Sequence, residues 1–326
     1  MDVVSAALRL ASGDLVAFPT ETVYGLGADA ANAAAVAKIF EAKGRPADHP
    51  VIVHVRDEAG LREWGRDVPR SAFVLAKRFW PGPLTMIVKR ASRVSSVVTG
   101  GQDSVGLRCP SHPVAQQLLR EFARIGSGAI AAPSANRFGH VSPTTAAHVR
   151  DEFGASLDIV DGGACDVGLE STIVDLSRGV PVLLRPGAIT RAQLADALGV
   201  EIGARDDASP RASGTLAAHY APETALELVN TQHFEAAINS GNTAGHAIAL
   251  LSFREPSAGS KVTLWITASG DPVSYAHDLY ANLRKLDDAG ALRILVEAPP
   301  ASPEWEAVND RLARAAAGTA NLEDET

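Results

Sequence analysis

Lys43-Gly44-Arg45-Pro46 sets two cations around a glycine, just past a stretch with helical apolar spacing. A guanidinium bonds two phosphate oxygens at once and an ammonium acts as a compact charge, so the pair could clamp a triphosphate. The same residues suit a solvated turn, because a helix C-terminus attracts cations through its dipole. In Ser104-Val105-Gly106-Leu107-Arg108, strand alternation puts Ser104, Gly106 and Arg108 on one face. Arg108 there fits either a ligand carboxylate or an internal salt bridge. His54 ends the run Val51-Ile52-Val53-His54, as a ligand for a carboxylate or hydroxyl or as a buried structural histidine.

Hydroxyls recur where apolar runs end. Leu15-Val16-Ala17 empties into Phe18-Pro19-Thr20-Glu21-Thr22-Val23-Tyr24-Gly25-Leu26-Gly27, a turn in which a small polar ligand could meet side chains and backbone together. Ordinary turn chemistry accounts for such a composition as well. Ala131-Ala132-Pro133-Ser134-Ala135-Asn136-Arg137 and Gly168-Leu169-Glu170-Ser171-Thr172 repeat the pattern, and Leu183-Leu184-Arg185-Pro186-Gly187 ends in a further cation. Ser142 reads as an N-cap of the next helix, whose first N–H groups could receive an anion. Trp80-Pro81-Gly82-Pro83-Leu84-Thr85 reads as a packed, scaffolding turn. There is no Ser-His-Asp order, metal-ligand cluster or GxxxxGK[ST] loop, and no metal-binding residue is assigned. The set suits direct transfer between bound substrates, with cations for phosphates, Arg and His for a carboxylate, and hydroxyls for orientation.

Strand-like runs at 15–18, 51–55, 84–89, 104–108, 129–132, 158–160, 172–176 and 181–184 would carry these groups. Helix-like segments lie at 33–42, 70–79, 113–124, 142–153 and 191–198. The fold class is α/β, and a hairpin at Ser177-Arg178-Gly179 argues for a mixed, twisted sheet over a purely parallel one. Small and polar residues from Gly203 to Gly214 read as a linker. Beyond it, strand-like 225–229, 246–252, 262–266 and 292–297 alternate with helical 233–239 and 272–286, suggesting a small βαβ domain closed by a helix from Pro303 to Ala316. The acidic tail from Asn321 reads as frayed.

The bulk properties agree. A length of 326 residues favours two domains, and 46% hydrophobic residues excludes a disordered or collagen-like chain. No apolar run reaches the roughly 20 residues a bilayer span needs, and the acidic start predicts a cytoplasmic protein without a signal peptide. Cys109 and Cys165 lack disulfide or zinc spacing. Residues 1–205 hold 22 Lys and Arg against 21 Asp and Glu, and the remainder 8 against 17. That balance shows no basic nucleic-acid footprint and leaves room for anionic small ligands in the first part.

FPTETVYGLG, KGRPADHPVIVH, FWPGPLT, SVGLRCP, AAPSAN, VSPTT, GLESTIVD and LLRPG occur here in one order. Over about residues 5–195 this resembles the YrdC/Sua5 family of threonylcarbamoyl-AMP synthases. Ala218-His219-Tyr220-Ala221-Pro222 resembles the HYAP signature of its two-domain Sua5 type. The resemblance implies a YrdC-like catalytic domain with a concave site at 1–202, a linker or lid at 203–222, and a Sua5 C-terminal domain at 223–326. It implies conversion of L-threonine, bicarbonate and ATP with Mg2+ to L-threonylcarbamoyladenylate and pyrophosphate, the adenylate going to the tRNA threonylcarbamoyl-transfer machinery for t6A. By the same resemblance threonine meets Thr22, His54, Arg108, the backbone near Ala132, and Ser171. ATP meets Arg45, His49, Ser104, Ser134, Ser142, Arg185 and Tyr220, and Lys43, Arg45, Ser134 and Asn136 form the KxR and SxN catalytic set. Tyr220 would lie over the nucleotide, while Thr20 and Glu21 shape the turn. His49 departs from the usual Asn, and Ser104 from the commoner Thr. The other readings are an RNA-binding protein using the concave surface, and a carbamoyl-transfer or hydrolysis module.

Overall fold

The computed structural model describes residues 1–243, 247–256 and 261–323. Two compact units emerge, one of Met1–Phe138 with Pro143–Thr215, the other of Gly139–Ser142 with the chain from Leu216 onward. The segment expected to be a linker, 203–222, is thus divided at Thr215. Its first part is tied to the first unit by strand pairing of Gly203 and Ala204 and by the hydrogen bond of Ser213 Oγ to the Pro50 carbonyl.

In the first unit the order is α1 (Val3–Ala11), β1 (Val16–Phe18), β2 (Gly25–Asp29), α2 (Ala33–Lys43), β3 (Val53–Val55), α3 (Ala59–Trp64), α4 (Arg70–Phe79), β4 (Leu84–Lys89) and α5 (Ser96–Thr99). There follow β5 (Ser104–Arg108), α6 (Pro113–Ile125), β6 (Ala129–Ala131), α7 (Ala146–Phe153), β7 (Asp158–Ile159), β8 (Thr172–Asp175), β9 (Val182–Arg185), α8 (Arg191–Leu198) and β10 (Gly203–Ala204). The ten strands form one sheet in the order β10-β9-β8-β4-β5-β3-β6-β2-β1-β7. Parallel and antiparallel neighbours are interleaved, so the expected mixed sheet forms, with β8 and β9 as the hairpin.

Period-two alternation sorts the side chains. Val53, Met86, Val88, Val105 and Leu107 point into the main core, which the apolar faces of α2 and α4 complete. The opposite face carries a smaller apolar patch of Ile52, Ile87, Ile173, Val182 and Leu184. The polar residues Thr85, Ser104 and Arg108 alternate with core residues along β4 and β5 and lie on this face.

Two local expectations change. The glycine-rich loop was read as a turn through Gly27, yet Gly25 to Asp29 form β2, paired with β1 and β6. These glycines make room between strands rather than a bend: a Cβ at Gly27 would lie 2.8 Å from Ile130 Cγ2 and 2.9 Å from Phe18 Cε1. Ser142 is not the helix N-cap; Thr145 caps α7 by accepting from His148 N.

In the second unit β11 (Leu226–Val229), α9 (Phe234–Thr243), β12 (Ile248–Ser252), β13 (Leu264–Thr267), α10 (Pro272–Asp287), β14 (Arg293–Glu297) and α11 (Glu306–Glu323) follow one another. A parallel four-stranded sheet of order β11-β14-β12-β13 results, the expected small βαβ pattern. A single 3-10 turn, Pro303–Trp305, leads into the last helix. Residues 321–323 continue α11 where a frayed tail was expected; 324–326 and His246 lie outside the described residues.

Candidate active site

Two motifs far apart in sequence meet on one lysine amino group. Helix α2 ends at Gly44, whose φ of +64° is the left-handed value that lets the chain reverse between Lys43 and Arg45. Lys43 is buried there and its Nζ donates to the carbonyl of Ser134 at 2.7 Å and, closely, to that of Asn136. Burial, reinforced by Arg45, holds its pKa well below the ordinary lysine value. Phe138 N donates to the Lys43 carbonyl, and Asn136 Nδ2 to the Arg137 carbonyl at 2.6 Å. Arg45 reaches the Pro50 carbonyl through Nη2 at 2.9 Å.

The Ser134 loop is itself zipped to the loop of Thr22. Leu26 N donates to the Pro133 carbonyl and Ala135 N to the Tyr24 carbonyl, with Gly25 bridging to Ser134. Thr20 organises the turn: its Oγ1 accepts from the N–H groups of Thr22 and Val23, donates to the Val23 carbonyl, and lies 2.9 Å from Thr22 Oγ1.

Register brings His54 of β3 beside Arg108 of β5. The His54 ring meets Phe18 edge-on at 5.9 Å, and its Nδ1 is buried without a hydrogen-bond partner. Burial first, then the charge of Arg108, pulls its pKa down to about 3, so it stands as neutral imidazole. Arg108 Nη2 lies 2.8 Å from Glu21 Oε1, with both side chains 5% exposed. Glu21 therefore does more than shape the turn, and the internal salt bridge open in the sequence is present. The backbone N–H of Ala132 is taken by the Ile52 carbonyl.

Ser171, just before β8, shares a hydrogen bond of 2.7 Å with Thr85. Arg185 at the end of β9 wraps the same residue, donating to its carbonyl from Nε and Nη2 and to the Ser213 carbonyl from Nη1. Beside them opens a cleft of about 290 Å³, its mouth included, lined by Thr85, Ile87, Ser104, Gly106 and Ile173 on the sheet and by Pro50, Gln102, Arg211 and Ser213 at its rim. His49 tilts against Phe138 with ring centroids 5.6 Å apart, and burial, then Arg45, lowers its pKa.

Ser142 and Tyr220 belong to the second unit. Tyr220 adopts φ +63° and is packed within that unit by His219 at 4.1 Å, Tyr280 at 5.7 Å and the Arg311 guanidinium at 5.3 Å. All the other expected site residues lie in the first unit. Sequence reasoning passed over Thr85 as scaffold and Glu21 as a turn former. A carboxylate embedded among hydroxyls at a buried strand exit, with one strand cation to neutralise, was the available signal.

Residues 9–187 match the protein family described as "Telomere recombination", and residues 189–317 the one described as "Threonylcarbamoyl-AMP synthase, C-terminal domain". The threonylcarbamoyl-AMP synthase of Pyrococcus abyssi is 38% identical over 323 residues, covering 95% of this chain and 92% of that one. The Bacillus subtilis enzyme of the same name is 39% identical, with 97% and 93% covered. The crystal structure of P. abyssi Sua5 complexed with L-threonine superposes with a TM-score of 0.89 at 36% identity, over 97% of this chain and 94% of the other.

Proposed function

The chain belongs to the threonylcarbamoyl-AMP synthase family, of the two-domain Sua5 type, and on that premise we infer the division of labour in its site. It is an ATP-using, adenylyl-transferring enzyme that makes L-threonylcarbamoyladenylate. In the inferred reaction L-threonine and bicarbonate combine as a carbamate with loss of water, and the carbamate oxygen attacks the α-phosphate of ATP as pyrophosphate leaves. Mg2+ enters with the ATP phosphates. The adenylate passes to the tRNA threonylcarbamoyl-transfer machinery. Among the described residues no helix is long and apolar enough to cross a membrane.

The observation that carries this reading is the Lys43 contact with Ser134 and Asn136, which closes the KxR and SxN motifs on one point. The Lys43 amino group and the Arg45 guanidinium, fixed there in advance, can donate to the transferring phosphoryl group and stabilise the charge developing on it. The donors of Arg108, the neutral ring of His54, and the hydroxyls of Thr22 and Ser171 supply groups for the threonine carboxylate and hydroxyl. Ser104 in the cleft, with His49 and Arg185, is assigned to the nucleotide.

Purified protein supplied with ATP, Mg2+, bicarbonate and L-threonine should release pyrophosphate in a threonine-dependent manner and yield the adenylate. Absence of threonine-dependent pyrophosphate release refutes the assignment. Arg108→Ala should raise the threonine requirement more than the ATP requirement; equal effects contradict the carboxylate role. Chelating Mg2+ should stop turnover, and undiminished release would remove Mg2+ from the reaction.

A further inference from the structure

We propose that Glu21 is the acceptor for the α-ammonium of the amino acid substrate, so that Glu21 and Arg108 form a matched pair for its zwitterion. The proposal rests on the reading of Arg108 as the carboxylate partner and adds a second, oppositely charged contact.

The two groups touch without satisfying each other. Arg108 Nη2 and Glu21 Oε1 are 2.8 Å apart, yet Arg108 Nε and Nη2 and Glu21 Oε1 all lack an aligned hydrogen bond in the buried site. Glu21 is held by its other oxygen, Oε2, which accepts from Ser111 N at 3.1 Å. Its backbone is pinned as well, the Glu21 carbonyl accepting from Val167 N at 2.7 Å. One carboxylate oxygen is therefore fixed by a backbone N–H, while the other has the Arg108 ion pair and no aligned hydrogen bond. Buried polar atoms without partners are costly and rare, so several clustered in one place point to a missing ligand.

The charges choose among ligands. A lone carboxylate drawn to Arg108 would meet Glu21, and a lone cation drawn to Glu21 would meet Arg108. An α-amino acid carries both charges on one carbon framework and satisfies each partner without opposing the other. The His54 Nδ1 on the adjacent strand and the Thr20 and Thr22 hydroxyls flanking Glu21 add no competing charge. Once the amine is carbamoylated it is no longer cationic. Glu21 then keeps at most one neutral N–H donor in place of a cation, and the intermediate is held less tightly at this end than the substrate.

The test compares binding of L-threonine with that of 3-hydroxybutyrate of the same hydroxyl configuration, in which hydrogen replaces the amino group. The full-length wild type should prefer threonine by about 10- to 100-fold, the range of one charge-assisted hydrogen bond. Glu21→Gln keeps the shape and an oxygen for Ser111 N. It should erase most of that preference, weakening threonine about 10-fold or more while 3-hydroxybutyrate holds or improves. Equal weakening of both ligands would show that Glu21 only orients Arg108 and would overturn the proposal. If Glu21→Gln fails to bind Mg-ATP and so is misfolded, Glu21→Asp reads the same ratio: a retained preference supports the proposal and its loss overturns it. Arg108→Ala separates the underlying reading, because unchanged affinity for both ligands would refute the carboxylate role itself, whatever the Glu21 ratio shows.

Discussion

Thr85 Oγ1 and Ser171 Oγ share a hydrogen bond of 2.7 Å, linking β4 to the residue that leads into β8. Both side chains are fully buried, so the hydroxyl assigned to threonine is aimed by its bond to Thr85. Thr85→Val keeps the branched shape and removes the partner, leaving Ser171 Oγ with Arg185 Nη2 at 3.2 Å. The threonine KM should rise about 3- to 10-fold, the worth of one neutral hydrogen bond, and by more than the ATP KM. Steady-state pyrophosphate release measures both; a matching rise for ATP would place Ser171 outside the threonine site.

Lys43→Ala removes the amino group that closes the two motifs. Turnover should fall about 100- to 1,000-fold, the usual cost of one preorganised charge-stabilising group. Threonine binding, followed by calorimetry, should persist, because its assigned contacts lie on β3, β5 and the strand ends beside them. Loss of threonine binding along with turnover would assign Lys43 to the fold of the whole site.

Acid should weaken the protein through His54. Its pKa falls from an ordinary 6.5 to about 3 in the folded state, so below pH 6.5 the unfolded chain binds a proton that the folded chain refuses. Stability contributed by this residue is complete above pH 6.5 and is lost as the pH falls toward 3. At about 1.4 kcal/mol per pH unit, the loss between pH 6.5 and 4.5 is about 2–3 kcal/mol. Urea unfolding of wild type and His54→Gln across that range should diverge in slope; parallel slopes would contradict the prediction.

Gly27→Ala should destabilise the first unit by about 1–3 kcal/mol, since the new methyl meets Phe18 and Ile130 across paired strands. Gly44→Ala meets nothing within 4 Å, and its cost of about 1 kcal/mol is conformational, from the left-handed backbone. Thermal melts should rank the two in that order, and the reverse ranking would contradict the packing explanation.

Much of this protein is determined by its sequence alone. Apolar runs bounded by glycine and hydroxyl residues located most strands of the mixed sheet, and an ordered series of motifs identified the family and nominated its site residues. Helix α7 was placed with the wrong cap, because Ser142 and Thr145 are equally good capping types and only the path of the chain distinguishes them. The loop through Gly27 was read as a turn because glycine serves turns and crowded strands alike, and the crowding comes from Phe18 and Ile130 on other strands. The division of the presumed linker at Thr215 follows from hydrogen bonds to residues more than a hundred positions away. The pairing of Glu21 with Arg108, and of Thr85 with Ser171, was likewise decided by tertiary structure. A residue's chemistry is local and can be read from its type, whereas the partner that neutralises or orients it is chosen by strand register and burial across the sheet.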